Sequence, residues 1–198
     1  MAERYPELLP KHREFIEQQH IFFVATAAAE GHINVSPKGM DALRVLAPDH
    51  IIWLNLTGSG NETHAHLLEN DRMTLMFCSF DQAPLILRVY GHASVITPDH
   101  SRWPDLLAHF PPYPGPRQIV DLAIELVQTS CGFGVPRYEY LGDRDTLVRW
   151  GEQKGDEGLA AFRRKYNLVS LDGKPIPLPP HLLGEAPAED SEPDDSYS

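Results

Sequence analysis

Short apolar segments separated by turn residues run from Ile21 to Ser130, and they limit the fold more than any other feature. "IFFVATAAAEGHINVSP" contains an apolar run, a Glu-Gly turn and a second run, and "RVLAPDHIIWLNL" repeats this arrangement around Pro48 and Asp49. Such pairs predict β-hairpins. With "RMTLMFC", "LILRVYGHASVI" and "IVDLAIELVQTS", which also has some helical character, they predict about six antiparallel strands. Because closure removes exposed sheet edges, the pattern favours a mainly β fold, a small closed barrel with short peripheral helices.

Helical patterns are few. We expect one helix over Leu8 to Gln19, one over "ETHAHLLEN", and a mostly helical segment from Asp143 to Tyr166. No Pro/Gly/Ser-rich linker divides the chain, so residues 1–183 are predicted to form one domain with a C-terminal helical extension. Residues 184–198 carry six acidic and no basic residues and almost nothing apolar, which predicts an acidic disordered tail.

Composition excludes several classes of function. The formal net charge is −11, more than half of it from the acidic tail, and no basic stripe suggests a nucleic-acid partner. No apolar run reaches the ~18 residues that a membrane-spanning helix needs, and no signal-peptide core is visible. Two cysteines make no disulfide framework. We therefore expect a cytoplasmic protein that contacts neither nucleic acid nor membrane.

A glycine-rich loop lies between "IIWLNL" and the helix pattern of "ETHAHLLEN". Gly58 and Gly60 are flanked there by hydroxyl and amide side chains. Free N–H groups at a helix start attract anions, and glycines let a chain curl round them. Ser59 followed by Glu62 also fits a capping box, with Asn61 as the other candidate cap. The loop contains no Lys or Arg, so these residues leave open both a phosphate site and a plain capped turn.

A cation for such a phosphate is available from another strand end. "INVSPKGMD" places Ser36, Lys38 and Gly39 where a strand finishes. A lysine after Ser-Pro can also be part of a solvated turn. We expect it to serve a site if this strand end lies beside the glycine-rich loop, as sequential antiparallel strands often do.

Metal and thiol chemistry receive little support from the pattern. His64 and His66 are two positions apart on a predicted helix, so they point to different sides, and the other histidines are scattered. No metal site is predicted. For Cys78, in an apolar strand, and for Cys131, in the loop "TSCGFGVP", structural packing is expected.

Six segments of the chain, taken together and in order, resemble the pyridoxamine 5′-phosphate oxidase-like family of flavin-binding split barrels. They are "FFVATA", "INVSPKGMD", "IIWLNLTGSGNETHAHLLENDRMTLMFC", "LILRVYGHASVI", "SCGFGVP" and "SLDGKP". The resemblance covers roughly residues 14–178. It implies a six-stranded antiparallel split β-barrel that forms a homodimer and binds FMN at the subunit interface.

The resemblance gives the glycine-rich loop a ligand, the FMN phosphate. Lys38 matches a lysine near substrate and cofactor in the true oxidases, and Arg88 matches an arginine of a barrel strand. The Ser-Arg-Lys run that grips the phosphate in those enzymes is replaced here by "GNETHAH", and their C-terminal Arg-x-His pattern is not recognisable. Pyridoxamine phosphate oxidation is therefore not expected. The implied cofactor-binding residues are Ser36, Lys38, Gly39, Thr57, Gly58, Ser59, Gly60, Asn61 and Thr63.

The expected function is that of an FMN-dependent oxidoreductase acting on a small molecule, with NAD(P)H as a possible electron donor. Two alternatives stay open: a protein that binds a flavin, deazaflavin or haem without turnover, and a barrel that has lost its cofactor. No catalytic residue is assigned.

Overall fold

An antiparallel sheet of eight strands forms the body of the protein, and the computed structural model describes residues 2–81 and 83–185. The strands are β1 (Glu3–Tyr5), β2 (Phe22–Thr26), β3 (Asn34–Lys38), β4 (Leu43–Ala47), β5 (His50–Leu56), β6 (Arg72–Cys78), β7 (Ile86–Ile96) and β8 (Pro116–Ser130). The helices are α1 (Pro10–Glu17), α2 (Glu62–Leu67), α3 (Trp103–Leu107), α4 (Thr146–Tyr166) and α5 (Pro180–Leu183).

The sheet curls into a barrel that is split along one side. Its hydrogen-bonded order is β3-β2-β6-β7-β8-β5-β4, and β1 pairs separately with β8. The predicted mainly β, split-barrel class is confirmed. The predicted count of about six strands is too low, since the structure has eight. One of the two additional strands is β1, which has only three residues and shows no alternating pattern. Full closure is also wrong: within the described residues no ladder joins the edge strands β3 and β4, which leaves the split.

Strand β5 has both faces buried, which fixes the start of the glycine-rich loop. Successive side chains of a strand point to opposite faces. Ile51 and Trp53 join the core inside the barrel, whereas Ile52 and Leu54 join a second core under α3. The second core is completed by Ala42, Ile96, Trp103, Leu106, Phe110 and Ile119.

The helical pattern predicted for residues 143–166 is confirmed by α4, which contains a kink at Gly155 (φ 60°). A third apolar cluster packs the C-terminal segment against α2 through Ala65, Ile176, Leu178 and Leu182. Of the predicted acidic tail, residues 186–198 lie outside the described residues. Within the described ranges no helix has the length and apolar character that crossing a bilayer would require.

Candidate functional site

The split in the barrel holds a polar cavity between β3 and the end of β5. Lys38, the last residue of β3, reaches across the split, and its Nζ donates to Asn55 Oδ1 at 3.3 Å. The cavity, here called the inner cavity, has a volume of about 460 Å³. This volume falls in the range of about 300–1,000 Å³ that is usual for small-molecule sites. Its polar lining comes mainly from Asn34, Ser36, Lys38, Asn55, residues 58–63 and Arg117.

The glycine-rich loop and the end of β3 do lie side by side, as the phosphate hypothesis requires. Eight of the nine implied cofactor-binding residues border the inner cavity: Ser36, Lys38, Gly39, Gly58, Ser59, Gly60, Asn61 and Thr63. The ninth, Thr57, is the first residue of the loop and does not border the cavity. Its Oγ1 donates to the Gly115 carbonyl at 2.9 Å and accepts from Arg163 Nε at 2.8 Å, so this hydroxyl anchors the loop.

The backbone conformation of the loop does not require its two glycines, contrary to expectation. Neither Gly58 nor Gly60 has a positive φ, so no unusual backbone curl requires them. A Cβ built on either residue meets no heavy atom within 4 Å. Because both residues border the cavity, the missing side chains leave its volume open to a ligand.

The predicted capping box is also wrong. Asn61 occupies the N-cap position of α2, without a side-chain cap bond. Its Oδ1 accepts instead from Gln118 Nε2 at 3.0 Å. The Glu62 carboxylate accepts from the Leu171 backbone N–H, which leaves it unavailable to the helix start. Both side chains make tertiary hydrogen bonds, and neither caps the N-terminus of α2 as their spacing indicates.

Arg117, near the start of β8, is a site residue that sequence reasoning missed. Its side chain is 1% exposed and borders the inner cavity. Nη2 donates to the Gly60 carbonyl at 3.0 Å, and Nη1 donates to Asn167 Oδ1. Nε has no hydrogen-bond partner, and Arg117 makes no ion pair with any described carboxylate. A buried charge of this kind is costly unless an opposite charge joins it.

The cavity wall is positively charged at neutral pH. Burial, with the nearby Arg163 charge as a smaller cause, lowers the pKa of Arg117 to about 9. Burial, followed by the Arg117 charge, lowers the pKa of Lys38 to about 8. His64 is neutral, because burial and then the Arg117 charge lower its pKa to about 4. Two cations therefore border a site whose one acidic neighbour in the described part of the chain, Glu62, accepts a hydrogen bond from the Leu171 backbone instead.

A second and larger cavity adjoins the first. This outer cavity, of about 870 Å³, lies between the end of β3, the loop and the first half of α4. Its apolar surface includes Ile21, Met40 and Trp150. The two cavities share Pro37, Lys38, Gly39, Met40, Gly58, Ser59 and Leu147.

The remaining candidates from the sequence, namely a metal site, the two cysteines and Arg88, contribute nothing to the two cavities among the described residues. In the described part of the chain no group of three or more His, Cys, Asp or Glu residues could hold a metal ion. Cys78 is buried, and burial raises the pKa of its thiol, whereas Cys131 is exposed rather than packed as expected. Arg88 borders neither cavity, and its Nη1 donates to Ser130 Oγ at 3.1 Å.

Sequence comparisons match the chain to one family. The family described as pyridoxamine 5′-phosphate oxidase matches residues 8–131. Among curated proteins, the pyridoxamine 5′-phosphate oxidase family protein ustO of Aspergillus flavus is 37% identical over 189 residues. That alignment covers 86% of this chain and 76% of the Aspergillus protein.

Two crystal structures share the fold. HupZ of Group A Streptococcus has a TM-score of 0.50 at 20% identity, over 62% of this chain and 99% of its own. A Lactobacillus delbrueckii protein described as a candidate pyridoxamine 5′-phosphate oxidase has a TM-score of 0.51 at 23% identity, over 62% of this chain and 94% of its own. At these identities the two structures establish a common architecture.

Proposed function

The chain belongs to the pyridoxamine 5′-phosphate oxidase family, and from that premise we propose that it is an FMN-dependent oxidoreductase acting on a small molecule. The observation that carries the proposal is the buried guanidinium of Arg117, which borders the inner cavity without a carboxylate partner among the described residues. A phosphate monoester carries a charge of about −1.5 to −2 at neutral pH and offers three acceptor oxygens. It therefore supplies the opposite charge that this arginine lacks.

The rest of the inner cavity fits the same group. Lys38 adds a second cation, and a charged donor binds a phosphate oxygen more strongly than a neutral one. The hydroxyls of Ser36, Ser59 and Thr63 border the same space and can donate to the remaining oxygens. Gly58 and Gly60 leave that space unfilled.

FMN, when bound, supplies two-electron redox chemistry, and the protein binds, orients and shields it. The apolar wall of the outer cavity, with Trp150 and Met40, suits a planar aromatic ring. Because the two cavities share Lys38 and Ser59, a ligand whose phosphate sits in the inner cavity extends naturally into the outer one. A small substrate or NAD(P)H would enter by the same opening.

A homodimer completes the proposal. On β3, Asn34 and Ser36 border the inner cavity, while Val35 between them and Ile33 just before the strand are 61% and 74% exposed. Exposed apolar residues beside a ligand site are typical of an interface, and twofold pairing is its commonest form. Light scattering at micromolar concentration should give twice the monomer mass. A monomer would contradict this part of the proposal.

The absorption spectrum of the purified protein is the first test. A flavin spectrum that NAD(P)H bleaches under anaerobic conditions supports the oxidoreductase. A flavin spectrum without bleaching favours a binder without turnover, and no flavin even after FMN is added argues for a barrel without a cofactor. Titration with FMN and with riboflavin then tests the phosphate site, since equal affinities would mean that the inner cavity does not recognise phosphate. The cytoplasmic location stays a prediction, open to cell fractionation.

A further inference from the structure

Asn167, the C-cap residue of α4, lies fully buried behind the glycine-rich loop and makes two hydrogen bonds with the loop and one with Arg117. Its Nδ2 donates to the Gly58 carbonyl at 2.9 Å, and its Oδ1 accepts from Arg117 Nη1. Its own carbonyl accepts from Asn61 Nδ2 at 3.4 Å. One side chain thus joins the loop to the cation. It lies beyond the region, residues 8–131, that the family match covers.

The final turns of α4 are fixed against the barrel by a second link. Arg163 Nε donates to Thr57 Oγ1 at 2.8 Å, and its Nη1 donates to the Leu182 carbonyl at 2.9 Å. The loop is therefore held at Thr57 and at Gly58 by residues of one helix turn. The position of α4 decides where the loop carbonyls lie, and these carbonyls in turn help to orient the guanidinium.

The chemistry of Asn167 suits this task. A guanidinium has five N–H donors, of which Gly60 and Asn167 accept one each, so three have no acceptor among the described residues. An amide oxygen orients Arg117 without cancelling its charge. An aspartate at the same position would accept the same hydrogen bond but would supply the missing negative charge from within the protein. The neutral partner keeps the cation available.

We propose that Asn167 is a positioning residue that aims Arg117 at the ligand phosphate, so that phosphate recognition depends on the docking of α4. This inference rests on the proposed flavin function. It assigns to the C-terminal segment a part of the site that the glycine-rich loop and Lys38 do not provide.

The test compares Asn167→Asp with a matched control, Asn70→Asp. Asn70 makes the same kinds of contact: its Oδ1 accepts from Arg72 Nε at 3.0 Å, and its Nδ2 donates to the Ala27 carbonyl at 3.0 Å. It borders neither the inner nor the outer cavity. Both changes add one negative charge beside one arginine.

Two quantities are measured for the wild type and both variants. The first is the dissociation constant of riboflavin divided by that of FMN. The second is the increase in the Tm of the apoprotein when inorganic phosphate is added. We expect Asn167→Asp to lower the ratio by at least about tenfold, the effect of losing one charge-assisted contact, and to abolish the phosphate-induced rise in Tm. Asn70→Asp should leave both unchanged. If Asn167→Asp does not fold, Asn167→Ser takes its place, because it removes the contacts without adding charge. It should also lower the ratio and reduce the phosphate-induced rise in Tm.

Three results overturn the inference, and they are distinguishable. If the variant keeps the wild-type ratio, Asn167 does not position the cation. If it weakens FMN and riboflavin equally, Asn167 only supports the fold. If wild type itself binds the two flavins equally and does not respond to phosphate, the proposed phosphate site fails, and this inference fails with it.

Discussion

Strand β8 carries two charged residues with little solvent exposure, Arg117 and Asp121, and their surroundings differ. Asp121 has two basic partners: its Oδ1 accepts from His50 Nε2, and its Oδ2 pairs with Arg102 Nη2 at 2.7 Å. Arg117 has only neutral partners among the described residues, a backbone carbonyl and an amide. The first charge is neutralised within the chain, and the second is not.

This difference separates a charge that serves the fold from one that serves a ligand. Desolvating a charge costs several kcal/mol, and an apolar residue of similar volume is often as stabilising as a buried ion pair. An unpaired guanidinium in the wall of a cavity therefore does little for the stability of the free protein. The guanidinium gains a favourable electrostatic interaction only when an anion binds, and this makes Arg117 the most informative residue to change.

Arg117→Met should produce the largest effect. It removes a cation but retains a long apolar side chain, so FMN binding should weaken by about 3 kcal/mol, or roughly a hundredfold, while riboflavin binding stays the same. The free energy of unfolding of the apoprotein should not fall, because an uncompensated buried charge is lost. Fluorescence titration and urea unfolding measure the two quantities. A marked loss of stability with equal weakening of both flavins would make Arg117 a structural residue like Asp121.

Lys38→Ala should weaken FMN binding by a smaller amount, about 1.5 to 2 kcal/mol. Lys38 lies at the mouth shared by the two cavities and is partly exposed, so water reaches it more readily than it reaches the fully buried Arg117. Riboflavin should again be little affected. A larger effect than that of Arg117→Met would reverse the ranking of the two cations.

The same lysine predicts a pH dependence of binding. Its pKa is lowered to about 8, so Lys38 is a cation below pH 8 and loses its charge as pH rises through that value. FMN affinity of the wild type should therefore fall as pH rises through 8. This step should be absent from Lys38→Ala, in which only a later fall near pH 9, from Arg117, remains. A flat wild-type profile from pH 7 to 9.5 would contradict the role of the Lys38 charge.

Asp121→Asn should give the opposite outcome from Arg117→Met. It leaves Arg102 and His50 without their carboxylate, and both are partly exposed, with side-chain exposures of 47% and 29%. The free energy of unfolding should fall by about 1 to 2 kcal/mol, less than for a fully buried pair. Both flavins should bind as before, measured by the same titrations. Weaker FMN binding would show that the two charges on β8 are coupled.

The sequence predicts the parts of this molecule that depend on local pattern. Strand alternation indicates the barrel, and the segment "IVDLAIELVQTS", ambiguous by itself, is extended as predicted because β8 is paired on both sides, with β5 and β7. Lys38 and the glycine-rich loop belong to two hairpins at opposite ends of the sheet order, and the curling of the sheet into a barrel brings them together. Eight of the nine implied site residues accordingly meet at one cavity.

The missed parts depend on contacts between distant positions. Arg117 meets Gly60 across 57 positions, and Asn167 meets Gly58 across 109. An arginine after "PGP", at the start of a strand, usually points into solvent, and an asparagine after a helix usually does no more than end it. The one local signal was that "RQIV" places a charge and an amide at the start of a run that proves to be fully buried.

Deleting residues 186–198 should produce the smallest effect, and it tests the premise of the comparison. That segment carries five acidic residues, and only among the described residues is Arg117 known to lack a carboxylate. We expect FMN affinity, riboflavin affinity and Tm to stay unchanged. The segment has almost nothing apolar to hold it against the barrel, and charges beyond about 8 Å are largely screened at physiological ionic strength.

The measurements should be made at low and at physiological salt. If the deletion tightens FMN binding but not riboflavin binding, above all at low salt, a tail carboxylate competes with phosphate for the cation. Arg117 and Asp121 would then differ in where their partners come from, because both charges would be paired within the chain.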